Sequence, residues 1–164
     1  MTSVASKTDS VARVKAIWQF YGDSPRVSVW LAVTQEMVNQ YCSSVLDSDW
    51  MHIDVDRSRR DSPFGGTVAP GFWTLSMLPY LMRMAVGPDF PPGTVAGINY
   101  GFDRIRFPGP VLIGARIRLR LKLVDVTPRE NGQYMIRTAS TVDVENRDKP
   151  ALVADWKFLL VYRD

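Results

Sequence analysis

The chain holds a single cysteine, Cys42, and a single histidine, His52. One of each can build neither an internal disulfide framework nor a Cys/His zinc constellation, so no metal site and a reducing, cytoplasmic setting are expected. No apolar run approaches the roughly 18 residues of a membrane span. Residues 1–12, MTSVASKTDSVA, also lack the continuous apolar core of a signal peptide, which predicts a soluble, unexported protein with no membrane partner. A dominant charge sign is missing as well: 20 Lys and Arg stand against 17 Asp and Glu. So even a balance argues against a nucleic-acid partner. Internal repeats, low-complexity stretches and coiled-coil heptads are likewise absent.

What is there suits one compact domain: 164 residues, 46% of them hydrophobic, leave little room for a second core. Residues 1–25 read as an N-terminal arm or short helix, with Val11, Val14, Ile17 and Trp18 at helical spacing. Residues 26–164 read as the domain itself. RVSVWLAV, 26–33, is β-branched and aromatic and predicts a strand. Thr34 is a good N-cap and Glu36 sits where a negative charge suits a first turn, so a helix is expected to run to about Leu46. The stretch 47–66, DSDWMHIDVDRSRRDSPFGG, is polar and closed by Pro63, Gly65 and Gly66. It predicts a long structured loop that could include a helical turn, and long loops in compact domains are usually functional.

GFWTLSMLPYLMRMAV, 71–86, is apolar on nearly all sides and predicts a buried helix, kinked or broken by Pro79. Beyond Thr94 the pattern is sheet: strands are expected at 95–107 with a break near Gly101, 114–126, 133–145 and 151–162. The short turns FPGPV, TPRENG and ENRDKP require antiparallel pairing, because a parallel return needs a longer crossover. Arg116, Arg118, Arg120 and Lys122 alternate with Ile117, Leu119, Leu121 and Leu123. A solvated sheet face is the simpler meaning, and steering of an anionic ligand the other. The class is therefore α+β, and a curved antiparallel sheet wrapped around one apolar helix is the simplest way to cover that helix.

Chemistry points to the polar stretch before the apolar helix. His52 lies among Asp47, Asp49, Asp54 and Asp56. An imidazole can accept and donate a proton near neutrality, and a nearby carboxylate fixes its tautomer. The EF-hand glycine and terminal glutamate are missing, which excludes that calcium pattern. Asp49 and Asp54 read as loop-structuring residues, since short polar side chains bond nearby backbone N–H groups. Gly71 opens the apolar helix, where an unsatisfied backbone N–H could face a developing oxyanion or glycine could merely permit close approach. Pro70 has no N–H to give and suits a helix entry. Ser76 could face a ligand or bond back to its own helix.

The stretch from Leu46 to Pro79, LDSDWMHIDVDRSRRDSPFGGTVAPGFWTLSMLP, resembles the signature of MaoC-like dehydratases, especially the NodN-like branch and the R-specific enoyl-CoA hydratases. In those proteins an aspartate precedes a histidine by five positions and a Pro/Gly-rich loop leads into the central helix. The resemblance extends through GINYGFDRIRFPGPVLIGARIR and KPALVADWKF, and covers most of residues 27–162. It implies the hotdog fold and a hydratase or dehydratase acting on an acyl thioester of coenzyme A or of an acyl carrier protein. Asp47 and His52 would be the acid/base pair, Gly71 the oxyanion donor, and Asn99 and Tyr100 either neighbours of the substrate tunnel or strand residues satisfied within the sheet. No cofactor beyond the carrier in the substrate is implied. The chain departs from the family in reading Ala69-Pro70-Gly71 where Ala-His-Gly is usual, and Leu46 where a glycine usually precedes the aspartate.

Two other activities fit the same fold: an acyl-thioester-binding protein without turnover, which the altered helix entry suggests, and a thioesterase. A single hotdog sheet leaves an unpaired edge, so a homodimer joining sheets is expected.

Overall fold

The computed structural model describes residues 7–163; residues 1–6, the beginning of the expected N-terminal arm, and Asp164 lie outside the described residues. Helix α1 spans Lys7–Tyr21. Its inward stripe begins later than the sequence pattern suggested: Ile17 and Tyr21 are buried, Val14 and Trp18 pack against the core, and Val11 is exposed. The Arg26 guanidinium ends the helix by donating to the carbonyls of Tyr21 at 2.7 Å and Phe20 at 3.1 Å, two of the groups a helix C-terminus leaves without partners.

The sheet is antiparallel and six-stranded. Strands β1 (Arg26–Val27), β2 (Leu31–Ala32), β3 (Thr94–Arg106), β4 (Arg116–Pro128), β5 (Gln133–Val144) and β6 (Leu152–Tyr162) are ordered β1-β4-β5-β6-β3, with β2 also paired to β4. The strand expected at 26–33 is split in two. Ser28 takes both polar groups of Leu119, donating its N–H to the Leu119 carbonyl and accepting the Leu119 N–H on its hydroxyl oxygen, each at 2.9 Å. A side-chain acceptor thus replaces a backbone one, and the ladder breaks there. The break expected near Gly101 is a register shift between Asn99 and Gly101 within the continuous strand β3.

Period-2 patterning decides which face is inside. Along β6, Leu152, Ala154, Trp156, Phe158, Leu160 and Tyr162 are buried, and along β4, Ile117, Leu119, Leu121 and Leu123. Outside on β4, Arg120 pairs with Asp143 through two hydrogen bonds of 2.8 Å, Arg116 pairs with Glu145, and Arg118 lies over the Trp30 ring. The three arginines of the basic stripe are thus paired with Asp143 on β5 and with Glu145 just beyond it.

Helix α2 covers Gln35–Val45; Thr34 caps it by accepting the Met37 N–H. The expected loop 47–66 is mostly helical instead, with α3 at Trp50–Ile53 and α4 at Val55–Asp61. Asp49 caps α3 through the Met51 N–H and Asp54 caps α4 through the Arg57 N–H, each at 2.9 Å. Polar composition suggested a loop, but the aspartates act as N-caps and make short polar helices viable. The apolar segment forms α5 (Gly71–Ser76) and α6 (Leu78–Val86), and the break falls at Met77, just before Pro79. A proline in the first turn sacrifices no helical bond, because those N–H groups have no intrahelical acceptor. Trp73, Leu78, Leu81 and Met82 are buried against the sheet, whereas Phe72, Tyr80 and Met84 are exposed. The helix expected to be buried all round thus has one open face in the single chain.

Candidate active site

Helix α2 ends in a left-handed residue, Leu46, with φ 59°. The Leu46 N–H donates to the Ser43 carbonyl and the Asp47 N–H to the Cys42 carbonyl at 2.9 Å. Together these two bonds make a Schellman motif, a termination that usually takes glycine at the left-handed position. The motif reverses the chain and launches Asp47 outward. One carboxylate oxygen of Asp47 then accepts the Asp49 N–H at 3.1 Å, which orients the side chain and leaves Oδ2 free.

His52 sits on α3, half-buried, and its imidazole is held from behind. Nδ1 lies 2.7 Å from the Val68 carbonyl oxygen. A carbonyl can only accept, so Nδ1 carries the proton and the Nε2 lone pair of the neutral ring is free. Val68 is itself fixed: its N–H donates to the Met51 carbonyl at 3.1 Å, and its neighbours Thr67 and Ala69 are bonded to Ile113 and Val111. Nε2 stands 4.0 Å from Asp47 Oδ2, with side-chain exposures of 15% and 34%. Two acceptors at that distance do not bond each other. A water 2.8 Å from both would subtend roughly 90°, close to its own H–O–H angle, and would donate one hydrogen to each. Its lone pairs would then face outward, ready to attack.

One further residue holds this assembly together. Gln35, in the first turn of α2, donates its amide to the His52 carbonyl at 2.7 Å and to Asn39 Oδ1 at 2.9 Å, and its Oε1 accepts the Thr67 hydroxyl at 2.6 Å. It ties the helix bearing the histidine to the segment that orients the ring. Nothing in local sequence marks it, because its partners lie 17 and 32 positions away.

Gly71 is the first residue of α5, so its N–H has no intrahelical acceptor. A Cβ there would stand 3.1–3.2 Å from the Phe107 ring, so close approach is also a reason for glycine. Gly71 lines a cavity of about 350 Å³ with Ala69, Thr74 and Phe107, whereas Asp47 lines a separate cavity of about 520 Å³ with Cys42, Leu46 and Ile53. The single chain therefore places the dyad and the helix entry close in sequence but does not enclose them together in either cavity. Ser76 donates to the Trp73 carbonyl at 2.8 Å, within its own helix. Asn99 accepts the indole N–H of the buried Trp156 at 3.2 Å, and Tyr100 is exposed beside it on β3. None of these three makes a hydrogen bond to Asp47 or His52 among the described residues. No group of three or more His, Cys, Asp or Glu side chains that could hold a metal ion occurs among those residues.

Residues 18–145 match the family model described as MaoC like domain. The chain is 40% identical over 135 residues to Nodulation protein N of Rhizobium meliloti (strain 1021), covering 82% of this chain and 83% of that protein. It is 39% identical over 134 residues to 3-hydroxyacyl-thioester dehydratase Z of Mycobacterium tuberculosis (strain ATCC 25618 / H37Rv), covering 82% and 86%. Among solved structures, the unliganded R-hydratase PhaJ1 from Pseudomonas aeruginosa superposes with a TM-score of 0.68 at 15% identity over 87% of this chain and 84% of that one. With the family model spanning most of its length and these relatives covering over four fifths of it, the chain belongs to the MaoC-like family and has its hotdog fold.

Proposed function

We propose that the chain is a hydratase/dehydratase that adds water across, or removes it from, the 2,3 position of an acyl thioester, with Asp47 and His52 as the acid/base pair. The observation that carries this reading is the imidazole whose Nδ1 is committed to the Val68 carbonyl, leaving Nε2 4.0 Å from the free Asp47 oxygen. In hydration the bridged water attacks C3 of a 2-enoyl thioester while one of its protons passes to the dyad. The displaced π electrons move onto the thioester oxygen as an enolate, which the Gly71 N–H would stabilise. The dyad's proton then goes to C2, so one water is added in all; dehydration retraces the path. Ser76, Asn99 and Tyr100 would border the acyl chain rather than take part in proton transfer. No step requires a redox group or a metal. Coenzyme A or the phosphopantetheine of an acyl carrier protein would enter only as part of the substrate.

A homodimer is part of the proposal. Among the described residues strand β3 pairs with β6 alone and is an edge thirteen residues long, with Val95, Ile98 and Tyr100 exposed along it. Such edges are normally paired or covered.

The test is turnover of crotonyl-CoA, followed by loss of enoyl absorbance, in His52→Ala and Asp47→Ala variants whose circular dichroism is unchanged. Each is expected to fall by at least about 100-fold, the contribution typical of a positioned acid or base. Full activity in both would overturn the mechanism, and release of free thiol without hydration would assign a thioesterase instead.

A further inference from the structure

Among the described residues, three other than glycine are left-handed: Leu46, Asn131 and Asn146. Asparagine tolerates that conformation, because its short polar side chain can bond locally. Leucine has no such compensation. Nor does Leu46 gain by burial, since its side chain is almost fully exposed. The Schellman motif that ends α2 would close at least as readily on glycine, so neither the turn nor the core accounts for a leucine here. A side chain kept in a disfavoured conformation with no structural return points to a function of that side chain.

Its position shows what that function touches. Residues 39, 42, 43 and 46 are spaced i, i+3, i+4 and i+7, a single stripe along α2 and its C-cap. Asn39, Cys42, Ser43 and Leu46 all line the cavity of about 520 Å³, together with Asp47 and Ile53. Leu46 is the residue before Asp47, and Ile53 the residue after His52. Each member of the dyad is thus flanked by an exposed aliphatic side chain, and both of these side chains border the cavity that Asp47 borders. The buried Cys42 adds a third weakly polar side. Aliphatic surface left in water gains free energy when a ligand covers it.

We propose that Leu46, with Ile53, is a specificity-determining residue: the aliphatic chain of the substrate beyond C4 lies in this cavity against both side chains, which selects enoyl chains longer than crotonyl. The inference rests on the hydratase reading and deepens it, because it names the substrate class. Chain direction agrees. With the dyad acting at C2 and C3, the thioester leaves on one side and C4 onward on the other. Asp47 lines this cavity, whereas Gly71, the donor to the thioester oxygen, does not. Size agrees as well, since the cavity falls in the range of about 300–1,000 Å³ typical of small-molecule sites. Each fully buried methylene is worth about fourfold in affinity. A chain resting on one side of an open cavity is half covered, so each of its carbons contributes about twofold, and four of them about 16-fold. With that contact divided between Leu46 and Ile53, loss of one leaves about a fourfold deficit.

The experiment compares crotonyl-CoA with trans-2-octenoyl-CoA, four carbons longer, in the wild type and in Leu46→Gly, Leu46→Asn and Leu46→Met. Glycine and asparagine both suit the left-handed backbone but remove the aliphatic surface, whereas methionine keeps it. The ratio of kcat/KM for octenoyl-CoA to that for crotonyl-CoA is expected to fall at least about fourfold in the glycine and asparagine variants, through KM, and to be retained in the methionine variant. An unchanged ratio in the first two overturns the proposal, as does a wild type that prefers crotonyl-CoA. So does a fall that accompanies dissociation in sedimentation and is reversed at higher protein concentration, because Leu46 then meets a second copy of the chain instead. If the wild type turns over neither thioester, the hydratase reading falls, and calorimetry with the saturated octanoyl-CoA and butyryl-CoA decides the contact by itself. Tighter binding of octanoyl-CoA that is lost in Leu46→Gly upholds it; equal affinities for the two overturn it.

Discussion

Replacing Gln35 with leucine keeps much of the side-chain volume but removes the amide that holds the His52 carbonyl at 2.7 Å and the oxygen that accepts Thr67 at 2.6 Å. Each hydrogen bond is worth about 1 kcal/mol net, so the variant should lose about 2 kcal/mol of stability. At about 2–4 °C per kcal/mol for a domain of this size, Tm should fall by about 4–8 °C. The effect on catalysis is separate. With the amide gone, α3 is no longer pinned to α2, nor Thr67 to either, and the 4.0 Å gap across which a water is to be shared is free to change. A displacement on the order of 1 Å can cost about 100-fold in rate, so kcat on crotonyl-CoA should drop by about 10- to 100-fold with KM little altered. Gln35→Glu sharpens the test: its carboxylate still accepts from Thr67 but turns a lone pair toward the His52 carbonyl, so it should recover stability better than activity. A leucine variant with the full fall in Tm but wild-type kcat would refute a positioning role for Gln35. One with neither change would refute the hydrogen bonds as energetically meaningful.

Leu46→Gly should stabilise the chain by about 0.5–1 kcal/mol, because the left-handed conformation costs an L-residue about 1–2 kcal/mol and glycine returns only part of that as unfolded-state entropy. Leu46 is 91% exposed, so little packing is lost, and a Tm that falls in a thermal melt would contradict this. Gly71→Ala brings a methyl 3.1–3.2 Å from the half-exposed Phe107 ring. It should cost about 1 kcal/mol, the low end for overpacking, and reduce kcat/KM on crotonyl-CoA; unchanged turnover would remove Gly71 from the site. The hydrogen bond from Arg120, followed by its charge and that of Arg118, holds the Asp143 carboxyl below its ordinary value against the opposing effect of burial. A carboxylate depressed in the folded state stabilises above its unfolded pKa, and that contribution is lost as pH falls through the folded value. Asp143→Asn should therefore be less stable than the wild type at pH 7, by up to about 1 kcal/mol for a partly exposed pair. The gap should close in acid denaturation series, and a gap independent of pH would refute the assignment.

Much of this was legible along the chain because it depends on near neighbours. Alternation placed Leu152 to Leu160 of β6 and Ile117 to Leu123 of β4 inward, and Thr34 marked the start of α2. The spacing of Asp47 and His52 carried the family resemblance. The helices at 50–61 were obscured because a polar segment offers no periodic apolar stripe, although the capping aspartates were visible. Split β1 and β2 were beyond reach, since the break depends on Ser28 meeting Leu119 across the sheet.

By itself the sequence determined the strand faces, the starts of α2 and α5 and the residue types available for proton transfer, all through interactions a few positions apart. Only the tertiary structure decided which imidazole nitrogen is free and what braces the histidine. Val68 reaches His52 across 16 positions and Gln35 across 17. Hydrogen-bond geometry over such separations exists only after the core has packed and brought the partners together.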